Sequence, residues 1–195
     1  MVRLLVFIVA AGLSACGGGD GGIFAPPTLA THCGVHVGAK RLTGSVRLVE
    51  DGDSITVGLE PIRLASIDAP ELEQAYGQTS RAHLAAMVLG QTVTVTYADR
   101  DRYDRVVGTV FKSDCVNVNR EQVALGAAWY YEAYRCEIDS RQRTALATAQ
   151  ASAKAAALGL WATPTPTPAV APWIYRTGTD PQVPETCPNG DAANG

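Results

Sequence analysis

The sequence is poor in the residues that typify zinc sites and histidine-based catalysis. It has only three histidines, and its five cysteines include no Cys-x-x-Cys pair. A structural zinc site is therefore disfavoured, although His32 lies beside Cys33. The three histidines, His32, His36 and His83, show no spacing to one another or to other residues that is typical of a catalytic site. We therefore interpret all three as surface or packing residues.

The chain also lacks a hydrophobic run long enough to cross a bilayer. After a short basic start, the apolar run of residues 4–13 is about half the length of a membrane-spanning helix. This pattern is typical of a signal peptide. Leu13-Ser14-Ala15-Cys16 looks like a bacterial lipobox, which predicts removal of residues 1–15 and lipidation of Cys16. An ordinary secretory signal with a chance cysteine is the alternative.

Lipidation predicts an exported protein that contacts the membrane through an N-terminal lipid anchor. Gly17 after the cysteine is compatible with the outer membrane, facing the periplasm or the cell surface, and the leaflet stays open. We interpret the glycine-rich residues 16–39 as a tether and leader. A monomer is expected.

No excess of positive charge is present, since 16 basic and 19 acidic residues give a net charge of −3. This balance excludes a protein that coats nucleic acid through a broadly basic surface. Any nucleic-acid binding must use local arginines together with a cation. Such binding is expected to be modest and salt-sensitive.

One domain of ordinary size is predicted for residues 40–162, because 47% of the 195 residues are hydrophobic and can fill a single core. The order of its elements predicts an α+β fold, a five-stranded OB-fold barrel with about three attached helices. The predicted strands are 41–50, 53–59, 61–67, 91–97 and 106–112, and the predicted helices are 75–89, 119–126 and 138–158. Residues 163–195 are predicted to be a proline-rich, largely disordered tail.

Three short stretches concentrate charged residues that suit phosphodiester hydrolysis. They are Asp51-Gly52-Asp53-Ser54, residues 63–71, and Asp101-Arg102-Tyr103-Asp104-Arg105. A phosphodiester gains negative charge as a nucleophile attacks, so its hydrolysis needs fixed positive charge and a group that activates water. Arg63 and Arg105 can supply the positive charge. Oxygen ligands such as Asp53 and Asp68 suit Ca²⁺ or Mg²⁺, which leaves Glu71 to act on water.

Each stretch alone is weak, because Asp-Gly-Asp is equally well explained as a hairpin turn and an arginine-rich segment as solvated surface. In this order, however, the stretches resemble the thermonuclease family, typified by staphylococcal nuclease, over about residues 40–161. Further landmarks of that family are Tyr76-Gly77, Val118-Asn119-Arg120-Glu121-Gln122-Val123, Gly126-Ala127-Ala128-Trp129-Tyr130 and Gly159-Leu160-Trp161. Residues 172–176 resemble a short aromatic ending that follows many bacterial domains of this family, which implies that they dock on the domain.

The resemblance implies a Ca²⁺ site made by Asp53, Asp68 and the main-chain carbonyl of Ala69. The family usually has threonine at position 69, but a backbone ligand does not need the hydroxyl. The resemblance also implies that Glu71 is the general base. It further implies that the two arginines, Arg63 and Arg105, bind the phosphate.

Asp104 departs from the family pattern, which has glycine before the second arginine. Aspartate tolerates a positive φ better than most residues, so the turn is expected to survive. Its negative charge close to Arg105 is expected to weaken phosphate binding.

The resemblance therefore implies a Ca²⁺-dependent endonuclease that hydrolyses DNA, with RNA left open, and that leaves 3′-phosphates. Two other classes stay open. One is a non-catalytic nucleic-acid-binding OB-fold module of the cell envelope, which the presence of all five charged groups disfavours. The other is an envelope interaction protein that uses the proline-rich tail.

Tyrosines near the predicted site are candidates for stacking on a base, as in the family. Tyr134 is the best single candidate, and Tyr103, Tyr130 and Tyr131 are others. The alternative is that Trp129 and one or two of these tyrosines fill the interface between barrel and helices.

Cysteine number is consistent with export, because setting Cys16 aside leaves an even set of four. Two disulfides are expected in an oxidising compartment. The family topology implies that Cys115 pairs with Cys136, which leaves Cys33 to pair with Cys187.

Overall fold

The computed structural model describes residue 33 and residues 40–162 and 169–187. The predicted signal peptide, the lipidation site Cys16 and nearly all of the tether lie outside the described residues. Within these described ranges, no helix is both long and apolar enough to span a bilayer.

A closed five-stranded barrel forms the body of the domain. The strands in chain order are β1 (Lys40–Val49), β2 (Ser54–Val57), β3 (Glu60–Leu64), β4 (Ile67–Asp68), β5 (Thr92–Arg100), β6 (Val106–Lys112) and β7 (Trp129–Tyr130). The barrel order is β1-β2-β3-β6-β5. Strands β3 and β6 run parallel, and the other described barrel pairs are antiparallel. This topology confirms the predicted OB-fold class.

The barrel closes around aliphatic side chains that alternate along its strands. Fully buried members are Ile55, Ile62, Leu64, Val93, Val95, Val106 and Val110. Between β1 and β2, Asp51 Oδ1 accepts the backbone N–H of Asp53 at 2.9 Å, which is the bond of an Asx turn. The hairpin interpretation of these residues is therefore correct, and it does not compete with a role for their carboxylates.

Three helices pack beside the barrel: α1 (Gly77–Val88), α2 (Val118–Ala124) and α3 (Ser140–Ala155). Asn117 caps α2 by accepting the N–H of Arg120, and Asp139 caps α3 by accepting the N–H of Gln142. Helices α1 and α3 are shorter than predicted by one to three residues at each end, whereas α2 begins one residue earlier and ends two residues earlier than predicted. Short 3₁₀ segments occupy Glu132–Glu137 and Gly159–Trp161.

Strands β4 and β7 form a separate two-stranded pair, with Ile67 opposite Tyr130 and Asp68 opposite Trp129. The predicted strand 61–67 is therefore interrupted: β3 ends at Leu64 and the chain turns at Ser66, which has a φ of 57°. Two-residue strands carry no readable alternation, so the sequence could not indicate this pair.

A fourth helix, α4 (Pro172–Thr177), lies inside the stretch predicted to be largely disordered. Its Trp173 stacks on Tyr131 with ring centroids 4.8 Å apart and meets Trp129 edge-on at 6.2 Å. These contacts give the segment an aromatic surface to dock on, as the family resemblance implies for residues 172–176.

The predicted disulfide pairing is wrong. The structure joins Cys33 to Cys115, with Cα atoms 5.0 Å apart, and Cys136 to Cys187, with Cα atoms 5.2 Å apart. The physical reason is the docking of α4 on Tyr131, which brings the following residues to the 3₁₀ segment that contains Cys136. Cys115, beyond β6, then remains for the N-terminal flank.

Candidate functional site

An open pocket of about 450 Å³ lies where the β1–β2 turn, the end of β4 and the loop between β5 and β6 meet. The structure brings together here every residue predicted to bind metal or act in catalysis, and two of the four tyrosines considered for stacking on a base. These residues are Asp53, Arg63, Asp68, Ala69, Glu71, Tyr103, Arg105 and Tyr134.

Asp53 and Asp68 form the buried side of the pocket, with only 7% and 2% of their surfaces exposed. The Oδ2 of Asp53 accepts the backbone N–H of Ala69 at 2.7 Å, and its Oδ1 accepts the hydroxyl of Ser54 at 3.1 Å. The first bond fixes the β1–β2 turn against the end of β4. Two segments that are distant in sequence thus hold their carboxylates in one place.

Negative charge is concentrated around this pair. Burial, followed by the charge of Asp53, raises the pKa of Asp51 to about 7. The same two causes raise the pKa of Asp68 to about 6, although Arg63 and Arg176 act in the opposite direction. A cation placed among such carboxylates would relieve the repulsion that opposes their ionisation.

The donor set consists of oxygens, which fits a hard cation such as Ca²⁺ better than zinc. Asp53, Asp68 and the carbonyl of Ala69 are the residues that would hold it. In the part of the chain that the structure describes, no three or more histidine, cysteine, aspartate or glutamate side chains are arranged to hold a metal ion. The fit therefore rests on donor chemistry and charge, and the calcium site stays a prediction.

Arg63, on β3, is almost fully buried beside the acidic pair. Its Nη1 donates to the carbonyl of Leu64 at 3.1 Å, and its Nη2 donates to the carbonyl of Ile67 at 3.0 Å. Nη2 also lies 3.5 Å from Asp68 Oδ1, and the guanidinium lies 5.7 Å from the ring centroid of Tyr134. Burial alone would lower the pKa of Arg63, but the surrounding carboxylates raise it. This arginine is a fixed positive charge in the pocket wall.

Arg105 is held differently, by the loop that precedes β6. Its Nε donates to Asp101 Oδ2 at 2.8 Å, while Asp101 Oδ1 accepts the backbone N–H groups of Arg105 and Tyr103. Burial would raise the pKa of Asp101, but these bonds lower it. Asp104 has a φ of 65°, and its carboxylate is 88% exposed and lies 3.6 Å from Arg100. The turn therefore accommodates aspartate, as expected.

Glu71 enters the pocket from the loop between β4 and α1. Its backbone N–H donates to Gln74 Oε1 at 2.8 Å, and its Oε1 accepts Arg176 Nη1 at 2.7 Å. A Cβ at Gly77 would lie 1.9 Å from the carbonyl oxygen of Glu71, so glycine is needed where α1 starts. The Tyr-Gly landmark thus has a role in positioning the predicted base.

The tyrosines separate into two groups. Tyr134 and Tyr103 line the pocket and are 46% and 65% exposed, as base-stacking residues need to be. Trp129, Tyr130 and Tyr131 are each less than 10% exposed. For these three the packing interpretation is correct, whereas stacking by the exposed pair stays a prediction.

Sequence reasoning missed two charged residues of the pocket, Glu137 and Arg176. Glu137 Oε2 accepts the backbone N–H of Ser66 at 2.7 Å and so supports the turn between β3 and β4. No local pattern marked Glu137. Arg176 was visible as part of an aromatic C-terminal segment, but its sequence position gave no sign that it reaches the acidic pair.

Fold and pocket together define an OB-fold protein of the nuclease type. The sequence profile of the family described as "Staphylococcal nuclease homologue" matches residues 61–163, more than half of the chain, and the chain belongs to this family.

Relatives share this part of the chain. An "Uncharacterized endonuclease" of Escherichia coli is 48% identical over 98 residues, which cover 48% of this chain and 64% of that protein. The "Micrococcal nuclease" of Shigella flexneri is 36% identical over 110 residues, which cover 50% of this chain and 63% of that protein. The chain therefore spans less than two thirds of the length of these relatives.

Proposed function

We propose that this chain is a Ca²⁺-dependent endonuclease that hydrolyses phosphodiester bonds of DNA, with RNA as a further substrate to be tested. The observation that carries the proposal is one pocket in which two arginines and a glutamate surround a buried acidic pair. The family and the names of its relatives point to the same chemistry.

The two arginines stabilise the negative charge that develops on phosphorus oxygens. Arg63 is preorganised by its bonds to two backbone carbonyls, so little reorganisation is needed when substrate binds. Arg105 lies on a loop, tied to Asp101, and can adjust to the phosphate. The pocket thus offers one rigid and one adaptable donor.

Glu71 acts as the general base, with a carboxylate oxygen taking a proton from the attacking water. Asp53 and Asp68 hold the cation, with the carbonyl of Ala69. When bound, Ca²⁺ supplies Lewis-acid stabilisation of the phosphate and lowers the pKa of water. Cleavage is expected at the 5′ oxygen to phosphorus bond and leaves a 3′-phosphate.

Exposed tyrosines at the pocket suit an unpaired base better than a duplex edge. Tyr134 lies above Arg63 and Tyr103 lies above Arg105, so each ring adjoins a phosphate-binding arginine. Stacking on aromatic rings is tolerant of base identity, which agrees with cleavage without strong sequence preference.

We further propose that the enzyme is exported as a monomer and anchored to the bacterial envelope through lipid on Cys16. The support is the lipobox-like sequence together with two disulfides, which suit an oxidising compartment. An anchor would confine cleavage to nucleic acid near the membrane surface.

The test compares Glu71→Gln with Glu73→Gln, a matched change at an exposed neighbour. The purified, oxidised chain is incubated with plasmid DNA and with RNA in millimolar Ca²⁺, and nucleic-acid binding is measured in parallel. We expect Glu71→Gln to lower turnover by about 10² or more and Glu73→Gln to have little effect. Binding without cleavage by the wild type would instead identify a non-catalytic OB-fold module.

A further inference from the structure

Arg176, on α4, places its guanidinium between the predicted metal ligand Asp68 and the predicted base Glu71. Nη2 donates to Asp68 Oδ2 at 2.7 Å, and Nη1 lies 3.3 Å from Asp68 Oδ1 and 2.7 Å from Glu71 Oε1. Burial opposes the charge of Arg176, but its two acidic partners raise its pKa above the usual value. A permanent positive charge thus engages both oxygens of Asp68.

The position of Arg176 follows from several independent contacts of its segment. Trp173 stacks on Tyr131 with an interplanar angle of 7°, and its indole N–H donates to Asp180 Oδ1 at 3.0 Å. Two residues before α4 begins, the carbonyl of Val170 accepts Gln74 Nε2 at 3.1 Å.

The Cys136–Cys187 disulfide fixes the end of the segment to the 3₁₀ turn beside the pocket. The segment that carries Arg176 is therefore tied to the domain covalently as well as by packing. The side chain of Arg176 is 39% exposed, so it has room to leave Asp68 and Glu71 while the helix stays docked.

A divalent cation and a guanidinium are competitors for the same carboxylate. Both are positive, and both would use the oxygens of Asp68, so each raises the free energy of binding the other. Arg176 also neutralises Glu71, which must be available to act on water in the proposed reaction. Metal binding must therefore displace Arg176 from at least part of its present contacts.

We propose that Arg176 is a built-in cation that engages the acidic site and competes with divalent metal for Asp68 and Glu71. The inference deepens the proposed function and rests on it, because that function makes Asp68 a metal ligand and Glu71 the base. Arg176 thereby sets the calcium concentration at which the site fills.

The experiment is a calorimetric Ca²⁺ titration of the full, oxidised chain as wild type and as Arg176→Gln. Arg102→Gln is the matched control. Arg102 lines the same pocket and stacks on Tyr103, and among the described residues it makes no bond to Asp68 or Glu71. We expect Arg176→Gln to lower the calcium Kd about ten-fold or more, the scale of one lost charge-assisted contact. Arg102→Gln should change it by less than about three-fold, as expected for an exposed charge.

Arg176→Lys is a second variant, which keeps the charge but loses the bidentate hydrogen bonding to Asp68. Its calcium Kd should lie between those of the wild type and Arg176→Gln. It carries the test if circular dichroism shows that Arg176→Gln is unfolded. A calcium Kd that is unchanged or higher in the Gln variant would overturn the proposal, as would a wild type and variants that all fail to bind calcium.

Cleavage measured on the same samples distinguishes failure of the competition by Arg176 from failure of the proposed nuclease function. Tighter calcium binding by Arg176→Gln, with no cleavage by any protein, supports the competition and refutes the proposed function. Normal metal-dependent cleavage with no difference in calcium Kd refutes the competition alone.

Discussion

Arg63 and Arg105 are expected to matter equally for turnover but very differently for stability. We consider Arg63→Ala and Arg105→Ala, two identical changes in one pocket. Each removes a positive charge aimed at the phosphate, so each should lower turnover by about 10² or more. The difference comes from how the two guanidinium groups are held.

Arg63 is 8% exposed and donates to two backbone carbonyls besides pairing with Asp68. Its removal leaves those acceptors without this donor and a buried carboxylate without one of its counter-charges, which should cost about 3 kcal/mol or more. Arg105 pairs with Asp101, and their side chains are 31% and 19% exposed. Loss of that partly solvated pair should cost about 1 kcal/mol or less.

The assay combines urea unfolding of both variants, followed by tryptophan fluorescence, with single-turnover cleavage of a labelled DNA oligonucleotide in Ca²⁺. Stability is compared in metal-free buffer, so that differences in calcium affinity do not enter. Equal unfolding free energies for the two variants would refute the structural distinction. Turnover within ten-fold of wild type in either variant would refute the catalytic assignment of that arginine.

Three further outcomes are expected. Asp104→Gly should stabilise the fold by up to about 1 kcal/mol in urea unfolding, since it relieves a positive φ, and should lower KM by no more than about two-fold because the carboxylate is exposed and screened. Asp51→Asn should stabilise the metal-free protein by about 1–2 kcal/mol at pH 8, because a folded-state pKa near 7, above the ordinary 3.8, means that the charged form opposes folding. That gain should disappear below about pH 4, where both states are protonated, and a gain that persists there would contradict the pKa assignment. The full-length wild type should pellet with membranes and partition into detergent, whereas Cys16→Ser should be released as soluble protein or held by an uncleaved signal. Mass spectrometry that finds wild-type Cys16 unmodified would refute the lipid anchor.

The barrel could be predicted because its signals are local, and the charged pocket because its three stretches resemble, in their order, those of a known family. Aliphatic alternation indicates strands, and the Asp51-Gly52-Asp53 turn holds both its hydrogen bond and its carboxylates within three residues. Arg63, Asp68 and Glu71 follow one another along β3, β4 and the next loop, so a single folded segment brings them together.

What the sequence could not indicate depends on distant partners. Arg176 meets Asp68 and Glu71 across more than a hundred positions. Its approach is set by Trp173 packing on Tyr131, a contact that composition cannot assign. The disulfide pairing failed for the same reason, because the docked segment determines which cysteines meet.

The metal dependence of cleavage tests the central claim most directly. The oxidised wild-type chain is incubated with a fluorescently labelled single-stranded DNA oligonucleotide in millimolar Ca²⁺, in Mg²⁺ and in excess chelator, with Asp53→Asn measured alongside. We expect cleavage in Ca²⁺ that is lost in chelator and is strongly reduced in Asp53→Asn, with Mg²⁺ supporting less activity because it demands a stricter ligand geometry. Full cleavage in chelator, or an Asp53→Asn variant as active as wild type, would contradict a metal-dependent site built on the acidic pair.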